Sequence, residues 1–74
     1  MDDHAIEFFT SLLNVDPTEL TCGLDMANLQ QWDSFAHVQI MMFLEENYGV
    51  VINEETLIKY SHFENIITLL KHKL

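Results

Sequence analysis

Ser34 is the residue with the most chemical promise. It directly follows Asp33 and stands where a loop gives way to a run with helical apolar spacing. A hydroxyl there lies beside the backbone N–H groups that the first turn of a helix leaves free, at the positive end of its dipole. A phosphodiester on that oxygen would be favoured by about 0.3–1 kcal/mol at an exposed site. Ser34 could also serve only as a helix cap, and Asp33 could cap instead. His37, three residues on, could meet Ser34 on a helix surface. Nucleophilic catalysis needs in addition an acid to orient the imidazole and donors for an oxyanion. Asp33 neighbours Ser34 but is not placed to face the far side of His37, so an ester-cleaving enzyme is the weakest reading of the pair. The plainer expectation for His37 is a loop-packing or partly exposed residue.

Other chemistry finds little to build on. His4, Cys22, His37, His62 and His72 show no paired ligand spacing, so no metal site is expected. The carboxylates lack the register of a calcium loop. Gly23 and Gly49 are the only glycines, which leaves no phosphate-cradling loop. Glu45 and Glu46 are adjacent on a helix and point in different directions, so they do not form an acid–base pair. Met26, Met41 and Met42 are most simply packing residues.

The elements that would position Ser34 follow from apolar spacing and chain breakers. A first helix is expected over about residues 3–13. Asp2, Asp3 and Glu7 put acids near its positive end, and Ile6, Phe9 and Leu13 recur at helical intervals. Asn14-Val15-Asp16-Pro17 ends it, since proline cannot continue a helix interior. Residues 17–33 read as a long, mostly irregular connection with a short helical turn near Thr18 to Leu20. Loops of this length in a small domain are usually functional or disordered. Leu20, Leu24, Met26 and Leu29 are expected to pin this one to the core. A second helix over about 34–48 stops at Gly49, which suits a left-handed cap. Asn53 caps a short third helix over about 53–59, with Glu54 and Glu55 in its first turn. Tyr60-Ser61-His62 turns the chain into a fourth helix over about 63–73. That helix sets Phe63, Ile66, Ile67 and Leu70 on one face, with Lys71 and Lys73 at its negative end. The expected fold is all-α, a four-helix bundle forming one domain over residues 1–74, with a short third helix and a long loop between the first two.

The second helix has too many apolar faces for one role. At about 100° per residue, Ile40, Met41, Phe43, Leu44 and Tyr48 cover a broad arc. Phe35, Val38 and Met42 form a second strip, bordered by Glu45 on one side and by Gln39 and Glu46 on the other. Complete burial would bring both glutamates inside unpaired. The preferred arrangement turns the broad arc to the core and leaves the strip, with its acidic border, to protein partners.

Charge points the same way. Twelve Asp and Glu face three Lys and no Arg, a net charge of −9, and the three lysines are Lys59, Lys71 and Lys73. Such a surface repels nucleic acid and anionic lipid and attracts proteins with basic patches. The longest apolar run, Ile40 to Leu44, cannot span a bilayer. The start of the chain lacks the basic and apolar segments of a signal peptide, and the lone Cys22 excludes an internal disulfide. A soluble protein in a reducing, cytoplasmic setting is expected.

These stretches resemble the acyl carrier protein family, whose fold is shared with peptidyl carrier domains. The likeness is carried by Trp32-Asp33-Ser34-Phe35-Ala36-His37-Val38-Gln39-Ile40 and by Phe43-Leu44-Glu45-Glu46-Asn47-Tyr48-Gly49-Val50. Leu12-Leu13-Asn14-Val15 looks like the end of the family's first helix, and Ile52 through Leu70 fits its last two. The resemblance implies that Ser34 receives a 4′-phosphopantetheine arm from coenzyme A, added by a phosphopantetheinyl transferase. The arm's thiol then carries acyl or aminoacyl groups as thioesters. Asp33 matches the acid that supports modification. Phe35, Val38, Gln39, Met42, Glu45 and Glu46 match the face that meets partners: an acyl-loading ligase or synthetase, and acyl-transferring enzymes with basic patches. The implied protein is a monomeric carrier and not an enzyme. Three departures stand out: Gln31 where the family usually has glycine, the bulkier Phe35 after the serine, and Gln39 where an acid is common. Trp32-Asp33-Ser34 variants resemble discrete carriers of specialised biosynthetic pathways. The alternative is a cofactor-free helical adaptor that binds partners through its acidic second helix.

Overall fold

Each helix begins and ends for a local reason. The computed structural model describes residues 3–72. They form α1 (Asp3–Leu13), a 3-10 turn (Pro17–Glu19), α2 (Ser34–Tyr48), α3 (Glu54–Lys59) and α4 (Phe63–His72). Asp2 and Lys73, assigned above to helix ends, lie outside the described residues. The all-α four-helix arrangement is the expected one, with a short third helix.

The end of α1 departs from expectation in its cause. Asn14 adopts the left-handed conformation at φ 54°, and the Val15 N–H donates to the Thr10 carbonyl at 3.2 Å. That six-to-one closure stops the helix. Pro17 instead opens the 3-10 turn, where a missing amide costs nothing. Asp16 caps this turn: its carboxylate accepts from the Thr18 amide at 3.0 Å and the Thr18 hydroxyl at 2.9 Å. Glu19 answers by accepting from the Asp16 N–H at 3.1 Å, a reciprocal capping box. The amide bond first, and the hydroxyl bond second, hold the Asp16 carboxyl below its usual pKa. α3 starts with a second box, Asn53 accepting from the Thr56 amide at 2.9 Å and Thr56 Oγ1 from the Asn53 amide at 3.0 Å. Gly49, at φ 71°, closes α2.

The long loop is tied to the rest of the chain by backbone as well as by side chains. The Met26 N–H donates to the Ser61 carbonyl at 2.9 Å, and the Phe63 N–H to the Leu24 carbonyl at 3.0 Å. This one-residue antiparallel bridge between Asp25 and His62 fastens the loop to the turn before α4. Leu20 is buried, and Leu24, Met26 and Leu29 pack half-buried against the core, as expected.

Aromatic rings join the helices. Phe9 of α1 meets Phe43 of α2 edge-on at 5.7 Å between centroids and Phe63 of α4 at 5.2 Å. Phe8 stacks on Phe43 at 4.1 Å. Trp32, only 1% exposed, meets Phe63 edge-on at 6.4 Å and makes the loop's last residues part of the core. Within α2 the broad arc divides as the spacing predicts. Ile40, Met41, Phe43 and Leu44 are buried and Tyr48 is half-buried.

His37 is buried rather than partly exposed, at 6%. Trp32 Nε1–H donates to its Nδ1 at 3.1 Å. Indole can only donate, so Nδ1 is the acceptor and the ring proton sits on Nε2. Nε2–H then donates to the Leu57 carbonyl of α3 at 2.8 Å. One neutral imidazole therefore links the loop, α2 and α3. No residue of α3 is fully buried, so this bond and the half-buried Leu57 side chain carry much of its attachment.

Removing the link should show in urea unfolding followed by circular dichroism. Trp32→Phe keeps a ring in the core but removes the donor to His37, and is expected to cost about 1–3 kcal/mol. His37→Ala leaves the indole N–H and the Leu57 carbonyl buried without partners, at about 2–4 kcal/mol. An unchanged midpoint for His37→Ala would show that the link carries no weight.

Candidate functional site at the start of the second helix

The entrance to α2 separates two tasks between two adjacent residues. Asp33 has extended backbone and is the cap, its Oδ1 accepting from the Ala36 N–H at 2.9 Å. Ser34 is therefore the first residue inside the helix, not its cap. It is exposed, and its hydroxyl makes no hydrogen bond to any other described residue. The His37 N–H is taken by the Asp33 carbonyl at 2.9 Å. The amides of Ser34 and Phe35 are left without a partner among the described residues. An exposed nucleophilic hydroxyl thus lies at the positive end of a 15-residue helix with two unpaired amides beside it.

This donor set fits a phosphodiester-linked arm. The hydroxyl oxygen can be esterified without breaking a structural bond, the free amides can meet the phosphate oxygens, and exposure leaves room for a long substituent. Asp33 uses Oδ1 for the cap, which leaves its second carboxylate oxygen without a hydrogen bond among the described residues. Among the described residues, no three His, Cys, Asp or Glu side chains gather as a metal-binding group.

The same geometry removes the hydrolase reading. Both nitrogens of His37 are committed, to Trp32 and to Leu57, and its ring points into the protein while Ser34 points out. A buried imidazole with no free nitrogen cannot take the proton of Ser34.

The second apolar strip of α2 is exposed, as its spacing predicts. Phe35 is 74% exposed, Val38 53% and Met42 49%, one apolar strip at helical spacing. Glu45 and Glu46 are exposed and Gln39 is half-buried. Gln39, Met42 and Glu46 line a shallow groove of about 200 Å³ with Phe8 and Phe43, which places that border of the strip beside α1. Val51 and Ile52, before α3, and Ile58 within it are also exposed apolar side chains, and their role is not evident from helix spacing.

Trp32 and Leu57 are the supporting residues that spacing alone did not single out. The signal for Trp32 was present: an apolar residue before a cap commonly packs on the fifth residue after itself, which here is His37. The Leu57 carbonyl is backbone and leaves no trace in residue types. No helix among the described residues is long and apolar enough to cross a membrane.

No protein-family model and no solved structure matches the chain. One protein of known identity does: the acyl carrier protein of Petrotoga mobilis is 34% identical over 68 residues, which cover 92% of this chain and 80% of that protein. The likeness therefore runs through the Asp33-Ser34 entrance and the helices on both sides of it. With an exposed serine opening the second helix and an all-α bundle holding it, the chain belongs to the acyl carrier protein family.

Proposed function

We propose that the protein carries acyl or aminoacyl groups on a 4′-phosphopantetheine arm attached to Ser34 and presents them to partner enzymes. The observation that carries this reading is the uncommitted Ser34 hydroxyl at the α2 entrance, with Asp33 rather than Ser34 acting as cap. The arm supplies a terminal thiol on which cargo is held as a thioester. The chain's own part is to present an oxygen that a transferase can join to the pantetheine phosphate of coenzyme A. In that step one P–O bond forms at Ser34, the pyrophosphate linkage breaks, the adenosine bisphosphate leaves, and the hydroxyl proton passes to the transferase. The protein catalyses no reaction itself.

Delivery would depend on the outer side of α2. Phe35, Val38 and Met42 offer an apolar contact, and Glu45 and Glu46 a negative border that suits basic patches on the transferase, on a loading ligase or synthetase and on acyl-transferring enzymes. Docking through exposed charges is weak and salt-sensitive, which lets the carrier leave after each step. The tether keeps the local concentration of cargo high while it is docked. Trp32 beside Asp33 and Ser34 favours a carrier of a specialised pathway.

Two measurements test the proposal. Co-expression with a phosphopantetheinyl transferase should add the mass of the arm, and Ser34→Ala should abolish the gain. Asp33→Asn retains a good cap but loses the charge. It should fold normally while modification slows by about tenfold or more, the loss of one contact to a charged group. A folded chain that never accepts the arm, yet binds partners equally well as Ser34→Ala, would be a cofactor-free adaptor. For docking, Glu45→Lys and Glu46→Lys should each lower a partner's kcat/KM by about two- to fivefold at low salt. The difference should fade at high salt, and its persistence there would remove the charge-based part of the proposal.

A further inference from the structure

An acyl group tethered at Ser34 must rest either inside the bundle or outside it. Burial of each methylene favours the inside by about fourfold, so any open apolar seam near Ser34 would draw cargo in. Ser34, His37 and Met41 fall along one stripe of α2, at successive spacings of three and four. On that stripe the side of α2 that faces α3 is occupied by the His37 side chain. The His37 imidazole reaches the Leu57 carbonyl at 2.8 Å, Trp32 closes the other side of the ring at 3.1 Å, and Trp32 and Met41 are each 1% exposed.

We infer that the Trp32–His37–Leu57 link seals the α2–α3 seam beneath Ser34, so that short acyl cargo stays outside the bundle. His37 is then a positioning residue for the cargo, acting through Leu57 on α3. The inference rests on Ser34 being the attachment point. Opening the seam would leave the indole N–H and the Leu57 carbonyl buried without partners, a loss matched only by burying roughly three to seven methylenes. Short chains cannot offset it. Among the described residues no buried side-chain nitrogen or oxygen lacks a partner, so the closed seam is also the fully bonded one.

Hydroxylamine cleavage of the thioester reads the position of the cargo. With acetyl, propionyl and butyryl groups on the arm, the wild-type protein should be cleaved at one rate, equal to that of the same thioesters on free pantetheine. Slowing that deepens with chain length, up to about fourfold per methylene buried, would overturn the inference. In His37→Ala the slowing should appear and the thermal midpoint should climb with chain length. Simple loss of stability lowers the midpoint equally for every chain. Rates that stay flat in folded His37→Ala would remove His37 from the role. Should that variant not fold, His37→Val, which also removes the bond to Leu57 but leaves a smaller void, provides the same comparison.

A second route needs no transferase. Ser34→Cys in a Cys22→Ser background can be alkylated with maleimides bearing graded alkyl chains. A midpoint independent of chain length supports the seal, and a climbing midpoint refutes it. Failure of arm attachment, seen by intact mass, would thereby be told apart from failure of the seal.

Discussion

Helix α2 is apolar on nearly every side, and a bundle this small can bury only part of it. Ile40, Met41 and Leu44 go inward, while Phe35, Val38 and Met42 remain in water. Exposed apolar side chains on one strip forgo stability that burial would supply. The glutamates at the strip's edges make the opposite choice impossible, because turning it inward would desolvate Glu45 or Glu46 without a partner. The orientation of α2 is thus decided by two carboxylates as much as by its apolar residues. That orientation also points Ser34 outward.

The first turn of α2 must be firmly held inside and open outside. The inner hold comes from Trp32 before the cap and His37 one turn in, joined by a hydrogen bond within the core. The cap comes from Asp33, and Ser34 is left with nothing structural to do. Modification of its oxygen would break no native bond. The imidazole of His37 adds direction to the packing: it specifies which carbonyl of α3 faces α2, which an aliphatic residue would leave to shape alone.

Electrostatics does little to hold the fold together. The closest opposite-charge approach recorded among the described residues is His62 to Asp25, at 3.7 Å on an exposed loop, and it counts only when the histidine is protonated. The remaining acids repel one another across a surface with few cations. Local hydrogen bonding uses some of them: Asp16, Glu19 and Asp33 each satisfy an amide at an element's start.

The helices, their limits and the outward strip were legible from residue order, because apolar spacing, capping residues and Gly49 act over a few residues and need no distant partner. The same holds for Ser34 as the residue most open to chemistry. Folding decided what depends on residues far apart in the chain. It bridged Asp25 to His62 through backbone, while the structure also settled two local alternatives, Asp33 over Ser34 as the cap and a left-handed Asn14 in place of Pro17 at the end of α1. It also buried His37 against Leu57, twenty residues away. A backbone carbonyl carries no mark in the sequence, so a side chain's choice of that partner exists only once the helices have packed.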